Sequence, residues 1–557
     1  MRHQRSFRQG AVLAAAFTLT CGGAIAQTKP DAGSLLQQIE RDRPLELPKR
    51  LEPIKEPLPK ELKEVPGLSI TVRAFTLAGN TLYATDKLLP LLADFIGKAA
   101  NYGDLVRATD VIAERYRKDG WVVRVYLPVQ DITDGNIKIQ IVESVFGGVR
   151  LEGNPPSRVA FGRVQRMIQA QQPVGTLLRS DQIDRGILLA DDLPGVTVAG
   201  ALMTGERDGE TMLAVQAADE PFAQANITAD NTGSRSTGPE RLSANLSLFS
   251  PFGYGEQAGV NASHTEGSDY VRLSHAIPLG MDGMRLDAHV SSLKYKVLTA
   301  EFASQNLRGD SQTAGVELNY PVIRSRLFNA YLRAGYDQKW FRNKDVTGDV
   351  TDYRMDVGTL GFYGNLFDAV LGGGSNSFNV FVSSGDPKIS TDRNTSLRSE
   401  KYSKIRYGAS RQQVITPSIS FSLGLNGQYS DDILDSSEKL SLGGATAIRA
   451  YPSGEASGSI GQIIDAELRW NLPQGFVASV FYDWGRVKNT GATDATSRLI
   501  LKGGGLSLTW SDPTKGLSVR GIYAHRDGEN PNPTASGNDQ DGSLKKNRYW
   551  ITATYTF

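Results

Sequence analysis

The sequence predicts two tandem α+β units followed by an all-β transmembrane barrel of about 16 antiparallel strands. Three observations lead to this fold class. The chain begins with a targeting signal, a β-α-α-β-β order occurs twice between residues 69 and 220, and apolar and polar residues alternate in strand after strand from Phe222 to Phe557. At 557 residues the chain is also too long for one ordinary core, so several domains are expected.

The first 26 residues have the composition of a secretory signal peptide. Basic residues at the start are followed by an apolar run from Gly10 to Leu19 and by the small-residue cleavage site Ala24-Ile25-Ala26, so we expect residues 1–26 to be removed. Cys21, the only cysteine, lies in this segment. The mature chain would then have no disulfide, thiol nucleophile or cysteine-bound metal. A lipoprotein anchor on Cys21 is the competing interpretation, which the preceding Thr18-Leu19-Thr20 fits poorly.

Charge and motif content argue against several classes of function. Lysine plus arginine (61) balance aspartate plus glutamate (60), so there is no electrostatic basis for binding nucleic acid. The sequence has no phosphate loop, G-x-S-x-G elbow or H-E-x-x-H motif, and its five histidines are scattered. We therefore expect no enzyme, no catalytic residues, no metal site and no cofactor.

A short amphipathic helix and a proline-rich linker follow the signal peptide. In residues 27–43, Leu35, Leu36 and Ile39 recur at helical spacing behind possible caps at Asp31 and Ser34. Six prolines in residues 44–68 forbid helix and central strand, and such a spacer can reach roughly 70 Å. The helix can therefore lie far from the next domain, although a disordered N-terminus is an alternative that these residues leave open.

Residues 69–144 and 145–220 form the two predicted α+β units. In the first, two helical patterns stand between the strand-like "SITVRAFTLAGNTLY" and the alternating pair "WVVRVYLPVQDI" and "GNIKIQIVES". The same order recurs more loosely in the second, which indicates a tandem repeat.

Residues 221–557 form the predicted barrel. In "MRLDAHVSS", for example, Met284, Leu286 and Val290 share one face while Arg285 and His289 lie on the other. A soluble sandwich also alternates, but it rarely needs over 300 residues of one sheet type. At roughly 20 residues per strand and connection, the segment fits about 16 strands. Because a barrel of this size encloses a water-filled lumen, something must close it between uses.

The loop "GGATAIRAYPSGEASGS", Gly443 to Ser459, is a candidate for that closure. It places Arg449 in a run too rich in glycine and serine for helix or uninterrupted strand. The strand "ASVFYDWGRV" follows, and its alternation points Asp483 into the lumen. We therefore expect Arg449 to meet Asp483 in a charge-assisted bond that holds the loop inside the barrel. A solvated loop arginine is the alternative.

The whole mature chain resembles the TpsB transporters of two-partner secretion, the ShlB/FhaC/HecB-type haemolysin secretion/activation family, whose barrel superfamily includes BamA. The resemblance rests on "GNTLY", "YRKDGWVVRVYLPVQDI", "DDLPGV", "LGGATAIRAY" and "FYDWGRV", which occur in the family's order. The family's usual loop motif is Val-Arg-Gly-Tyr, whereas this chain has Ile448-Arg449-Ala450-Tyr451. The substitution of alanine for glycine departs from the family's pattern, because glycine reaches positive φ far more easily.

The resemblance implies a function, partners and a location. The two units would be periplasmic POTRA domains, the N-terminal helix a plug in the lumen, and the barrel an outer-membrane translocase of a Gram-negative bacterium. Its partners would be a large secreted TpsA-type exoprotein, outer-membrane lipid and, during biogenesis, the barrel assembly machinery, which reads the terminal aromatic residues Tyr555 and Phe557. An outer-membrane β-barrel assembly or insertion factor is the alternative function from the same superfamily, and a passive porin would need no periplasmic repeat.

Overall fold

The structure is a computed structural model that describes residues 29–41, 47–48, 69–393, 395, 397, 400–490 and 498–557. The predicted signal peptide, residues 1–26, lies outside the described residues, and so does the predicted linker, 44–68, apart from residues 47–48.

The first element is helix α1, Ala32–Arg41. Asp31 caps it, since its Oδ1 accepts a hydrogen bond from the Ser34 amide at 2.8 Å and so satisfies one of the free N–H groups of the first turn. A basic residue, Arg41, lies in the last turn, where it complements the helix dipole. The local sequence therefore favours the helix at both ends.

The first α+β unit packs its helices against a three-stranded sheet with the order β2-β5-β4. Its first helix is shorter than the apolar spacing predicts. After one α-helical turn the chain tightens into a 3₁₀ helix at Leu89–Phe95, because Pro90 has no amide hydrogen to continue the α-helical ladder. In chain order the elements are β1 Ser69–Thr71, β2 Ala74–Ala78, α2 Thr85–Leu88, β3 Ala99–Asn101, α3 Tyr102–Lys118, β4 Val123–Tyr126 and β5 Asn136–Glu143.

The second α+β unit repeats this plan, with the sheet order β6-β8-β7. Its two helices pack closely because Gly186 faces the backbone of Ile168: a Cβ added at Gly186 would lie 3.0 Å from the Cα of Ile168. The core includes Val164, Ile187 and Leu213, all nearly fully buried. In chain order the elements are β6 Val145–Leu151, α4 Phe161–Gln171, α5 Ser180–Asp191, β7 Val196–Thr204 and β8 Glu210–Asp219.

A closed barrel of 16 antiparallel strands follows, which confirms the predicted fold class. Neighbouring strands pair in sequence order, and the first and last strands, β9 and β26, close the barrel along a short seam from Asn226–Asp230 to Thr552–Thr556. The barrel strands are β9 Ala223–Asp230, β10 Arg241–Phe249, β11 Gln257–Thr265, β12 Ser268–Leu279, β13 Met284–Lys296, β14 Arg308–Arg324, β15 Phe328–Asp345, β16 Gly348–Asp368, β17 Gly374–Asp392, β18 Tyr402–Thr416, β19 Ile419–Tyr429, β22 Ile460–Asn471, β23 Phe476–Lys488, β24 Arg498–Asp512, β25 Leu517–Arg526 and β26 Asn547–Thr556. Two short strands, β20 Leu440–Leu442 and β21 Ala456–Gly458, pair with each other inside the loop between β19 and β22.

The barrel has an apolar outer face and a polar inner face. On β12, Val271 and Leu273 are 42% and 49% exposed, whereas Arg272 between them is 6% exposed. On β13, Val290 lies outside while the His289 side chain is buried inside. An outer face of this composition suits lipid rather than water.

The two α+β units are joined to each other and to the barrel by specific contacts. Between the units, the Val122 amide donates to the Leu178 carbonyl at 3.0 Å and Arg179 stacks on Trp121. At the barrel, Arg324 binds Asp192 through two hydrogen bonds of 2.7 and 2.8 Å.

A second ion pair, Arg326 with Asp184 at 3.0 Å, strengthens the junction with the barrel. Arg324 ends β14 and Arg326 lies in the turn before β15, whereas Asp184 lies within α5 and Asp192 directly follows α5. The second unit is therefore docked at the end of the barrel opposite to the loop between β19 and β22.

Candidate functional site: the infolded loop and the barrel wall

The loop between β19 and β22, residues 430–459, folds into the lumen, and we call it the infolded loop. Its motif Ile448-Arg449-Ala450-Tyr451 is buried, with exposures of 0, 6, 1 and 1%. The chain reverses where the Gly444 amide donates to the Tyr451 carbonyl. Gly443 and Gly444 have φ of +86° and +95°, which other residues adopt only with strain. The glycine-rich composition thus serves a tight turn rather than a flexible surface loop.

Arg449 makes a bidentate contact with Asp483 on β23. Nε lies 2.9 Å from Oδ2 and Nη2 lies 2.7 Å from Oδ1, and the Arg449 amide also donates to Oδ2 at 3.0 Å. Asp483 is completely buried. The structure therefore brings together the two residues that the sequence analysis paired, in the fork geometry that only a guanidinium provides.

A second carboxylate, Glu467 on β22, also binds Arg449, and the sequence analysis missed it. Nη1 of Arg449 lies 2.7 Å from Oε2 of Glu467, whose other oxygen accepts from Arg469 at 2.8 Å. Phe481 lies beneath the guanidinium, with its ring centroid 3.4 Å from Cζ, a cation–π contact. The alternation of "IIDAELRWN" does place Glu467 on the inner face, so the sequence contained a signal for it.

Ala450 fits without backbone strain. Its φ is negative, so the alanine in place of the family's glycine needs no left-handed conformation. Gly503 on β24 of the wall leaves space for the methyl group of Ala450. A Cβ added at Gly503 would lie only 2.4 Å from the Cβ of Ala450. On the other side, Trp550 on β26 donates from Nε1 to the Arg449 carbonyl at 2.9 Å.

Helix α1 occupies the lumen beside the infolded loop. Leu35 and Leu36 are 6% and 2% exposed, and Ile39 packs against the same cluster, which includes Phe341 and Leu293 of the barrel wall. This places the three residues of the predicted plug helix against the inner wall.

The helix touches the infolded loop at both of its ends. Asp31 accepts from the Ser436 hydroxyl at 2.7 Å. Arg41 donates to the Ser441 carbonyl and to the Thr446 hydroxyl at 3.2 and 2.8 Å. The helix and the loop therefore fill the lumen together.

The base of the infolded loop is held by a buried charge cluster. Glu438 lies between Lys339 of β15 at 2.8 Å and Lys404 of β18 at 2.6 Å. Both Glu438 and Lys404 are nearly fully buried. A buried carboxylate with two ammonium partners is compensated on both sides, so this part of the loop is fixed to two separate wall strands.

The C-terminal aromatic residues lie on the outer face. Tyr555 and Phe557 are 45% and 62% exposed, and their rings meet edge to face with centroids 4.7 Å apart. Their role as an assembly signal remains a prediction.

None of the helices in the described ranges is long and apolar enough to cross a membrane. Within the same ranges, no group of three histidine, cysteine, aspartate or glutamate side chains could hold a metal ion.

These features define a class of protein: an outer-membrane barrel with periplasmic POTRA-type units and a loop folded into its lumen. Residues 209–510 match the family described as haemolysin secretion/activation protein ShlB/FhaC/HecB, and residues 70–144 match the POTRA domain, ShlB-type. The chain belongs to the ShlB/FhaC/HecB family of haemolysin secretion/activation proteins.

Individual relatives and solved structures resemble the chain over most of its length. It is 25% identical to the heme/hemopexin transporter protein HuxB of Haemophilus influenzae (strain Rd), over 96% of both chains. It is 23% identical to the outer membrane transporter CdiB of Escherichia coli O6:K15:H31, over 78% of this chain and 73% of that one. Among solved structures, CdiB from Escherichia coli aligns with a TM-score of 0.70 at 20% identity, over 90% of this chain and 92% of that chain. BamA from Haemophilus ducreyi, lacking POTRA domains 1–3, aligns with a TM-score of 0.53 at 17% identity, over 88% and 100%.

The comparisons confirm the predicted family and location. The protein is an outer-membrane transporter of the two-partner secretion type, with its POTRA domains in the periplasm. The likeness to BamA is one of fold alone at this level of identity.

Proposed function

We propose that this protein exports one large exoprotein through its barrel and that helix α1 and the infolded loop close the lumen between transport events. The observation that carries the proposal is the buried Arg449–Asp483 contact, which ties the loop to the wall by three hydrogen bonds. A buried ion pair of this geometry is costly to break, since a single partner left alone costs about 3–5 kcal/mol. The loop therefore has one strongly preferred position at rest.

Helix α1 acts as the removable part of the closure. A small apolar face and a few polar contacts hold the helix in the lumen. It is not one of the strands that form the barrel wall. Leu35 and Leu36, the two large buried apolar side chains of the helix, each contribute about 1.5–3 kcal/mol of burial, and Glu40 lies 3.7 Å from Arg272. This scale suits an element that is stable at rest and is displaced when a client enters.

The two POTRA units select the client. Each contains a three-stranded sheet, with outer strands β2 and β4 in the first unit and β6 and β7 in the second. An extended client segment can pair its backbone with an outer strand while side-chain pockets set specificity. In the second unit, a groove of about 600 Å³ is lined by residues 152–156, 197, 199 and 216–219. It offers a pocket next to the sheet for client side chains.

Two further partners belong to the proposal. Outer-membrane lipid contacts the apolar outer face, and the barrel assembly machinery inserts the chain by reading Tyr555 and Phe557. No feature of the site requires a cofactor.

The test is secretion of a candidate exoprotein of the TpsA type by this protein. The two are expressed together in a strain that lacks both, and the exoprotein is measured in the medium. Export that depends on residues 69–220 and on Arg449 supports the proposal. Normal export after deletion of residues 69–220, or after Arg449→Ala, would overturn it.

A further inference from the structure

The loop between β25 and β26, residues 527–546, is unusually buried for a loop at the outer end of a barrel, and we call it the cap loop. Asp539 is completely buried, and Asn532 and Gln540 are 8% and 7% exposed. Loops that only join strands run over the surface and stay solvated. Burial of three polar side chains therefore indicates that the cap loop packs against something specific.

The cap loop is pinned to its own two strands by one carboxylate. Asp539 lies 2.6 Å from Nη2 of Arg526, at the end of β25, and 2.7 Å from Nη2 of Arg548, at the start of β26. Both arginine side chains are less than 10% exposed. Because a buried carboxylate is stable only when paired, Asp539 fixes the cap loop over the end of the lumen.

The cap loop also binds the infolded loop through hydrogen bonds to Glu455. Oε1 of Glu455 accepts from Asn530 at 2.6 Å and Oε2 accepts from the Gln540 amide at 3.0 Å. The Glu455 carbonyl accepts from Asn532 at 2.8 Å. Glu455 is completely buried. The cap loop provides all three of these hydrogen-bond donors.

Arg526 connects the cap loop to the Ile448–Tyr451 motif of the infolded loop. Its guanidinium lies 4.5 Å from the ring centroid of Tyr451, two residues beyond Arg449, while its Nη2 binds Asp539. Beyond its base at Glu438, the infolded loop is thus tied at two points, at Arg449 to β22 and β23 and at Glu455 to the cap loop between β25 and β26.

We propose that the cap loop is a second anchor of the infolded loop, which seals the outer end of the lumen by holding Glu455, and that Asp539 positions it. The inference rests on the proposed closure of the lumen by the infolded loop. The two anchors have separate duties: the Arg449 anchor sets the loop for transport, and the Glu455 anchor closes the outer mouth. Loss of the second anchor opens the mouth without abolishing export.

A thiol on the infolded loop can report this opening. Ser453 lies between the two anchors and is half-buried, and the only native cysteine lies at position 21. In full-length protein carrying Ser453→Cys, labelling on intact cells by a membrane-impermeant maleimide measures how often the tip is exposed. We expect Glu455→Ala to label about tenfold faster or more, because both buried side-chain hydrogen bonds to the cap loop are lost. Asp539→Asn should act in the same direction.

Glu529→Ala is the matched control. Glu529 is a carboxylate of the same cap loop, but its side chain is 85% exposed and pairs with Lys546, so its loss should leave the labelling rate unchanged. Heat-modifiable migration in gels verifies that each barrel is folded, and if Glu455→Ala fails to assemble, Asp539→Asn carries the test.

Three results would overturn the inference. A folded Glu455→Ala or Asp539→Asn barrel that labels at the parental rate shows that the cap loop is no anchor. Equal acceleration by Glu529→Ala shows that the effect is not specific to the buried contacts. Loss of secretion in Glu455→Ala as severe as in Arg449→Ala shows that the anchors have no separate duties. Loss of secretion in the parent protein instead contradicts the export function itself.

Discussion

Arg449 and Glu467 form a buried ion pair at 2.7 Å in addition to the contact between Arg449 and Asp483. One loop arginine therefore neutralises carboxylates on two adjacent wall strands, β22 and β23. Its removal would leave Asp483 without this cationic partner and would deprive Glu467 of one of two close ones, since Arg469 remains, so the wall as well as the loop depends on it.

Replacement of Arg449 or Asp483 by alanine should reduce secretion strongly. Breaking a buried pair costs about 3–5 kcal/mol, which corresponds to more than tenfold in the population of the anchored loop. Arg449→Lys should restore little, because an ammonium cannot reproduce the fork. The measurement is exoprotein in the medium relative to the amount of transporter in the outer membrane. Arg411→Ala is the control, since Arg411 pairs with Asp368 away from the loop. Normal secretion by Arg449→Ala would mean that the loop has no gating duty.

Exchange of the two charges should fail unless Glu467 is changed too. The double variant Arg449→Asp with Asp483→Arg places a new carboxylate against Glu467, and like charges in a buried site repel. Adding Glu467→Gln removes that repulsion, so the triple variant should secrete more than the double variant. Secretion by the double variant equal to the parent would contradict the three-residue arrangement.

Deletion of residues 31–41 should raise the single-channel conductance and its noise in planar bilayers while the barrel still assembles. The reason is that α1 occupies space in the lumen. A point variant gives a finer test: Leu36→Asp buries a charge in the apolar cluster and should open the channel, whereas Gln37→Asp on the neighbouring, half-buried position should change it little. Unchanged conductance after the deletion would refute the plug.

A purified fragment of residues 69–220 should bind the N-terminal part of the exoprotein. We expect a micromolar dissociation constant, because transport needs release as well as capture. Isothermal titration calorimetry measures the affinity, and deletion of the same segment from the full chain should abolish secretion. Intact secretion after that deletion would place client recognition elsewhere.

Glu143 at the end of β5 should make the first POTRA unit sensitive to acid. Burial raises its pKa, but hydrogen bonds from Thr81, the Leu82 amide and Tyr116 outweigh burial and hold the pKa below its ordinary value of 4.5. Its stabilising contribution is therefore complete above about pH 4.5 and is lost as the pH falls through the lower folded-state value.

Thermal unfolding of the 69–220 fragment, followed by circular dichroism between pH 3 and 7, measures this dependence. Glu143→Gln should flatten it. Glu114→Gln should retain it, because the Glu114 side chain is 72% exposed. Equal acid sensitivity in the parent and Glu143→Gln fragments would contradict the assignment.

The barrel fold could be predicted from the sequence because the alternation of apolar and polar residues along a strand is a local signal. Val290 outside and His289 inside follow directly from their neighbours, and so does the inward direction of Asp483. The glycine-rich loop and the inward Asp483 suggested Arg449 as its partner, but the residues left a solvated loop arginine open, and the family resemblance favoured the pair. Glu467 was also inward by alternation, but which wall strand faces the loop is decided by the closed barrel.

Other features could not be predicted from the sequence, because they depend on contacts between residues that are far apart in the chain. The cap loop resembles an ordinary solvated loop because it is rich in asparagine, aspartate and glycine. Its burial arises only when Asp539 meets arginines of two strands and Glu455 arrives from a loop about 80 residues earlier in the sequence. The short helix α2 had a local cause instead, since Pro90 interrupts a pattern of leucines that otherwise favours helix.

The paired contacts Arg324–Asp192 and Arg326–Asp184 fix the orientation of the second POTRA unit against the barrel. A second unit clamped at two points to one barrel turn cannot swing freely, and the first unit is joined to it through backbone hydrogen bonds. We therefore expect movement during export to lie mainly in the exported chain, helix α1 and the infolded loop. If the POTRA units capture the client, their fixed attachment also sets the direction from which an extended chain reaches the barrel.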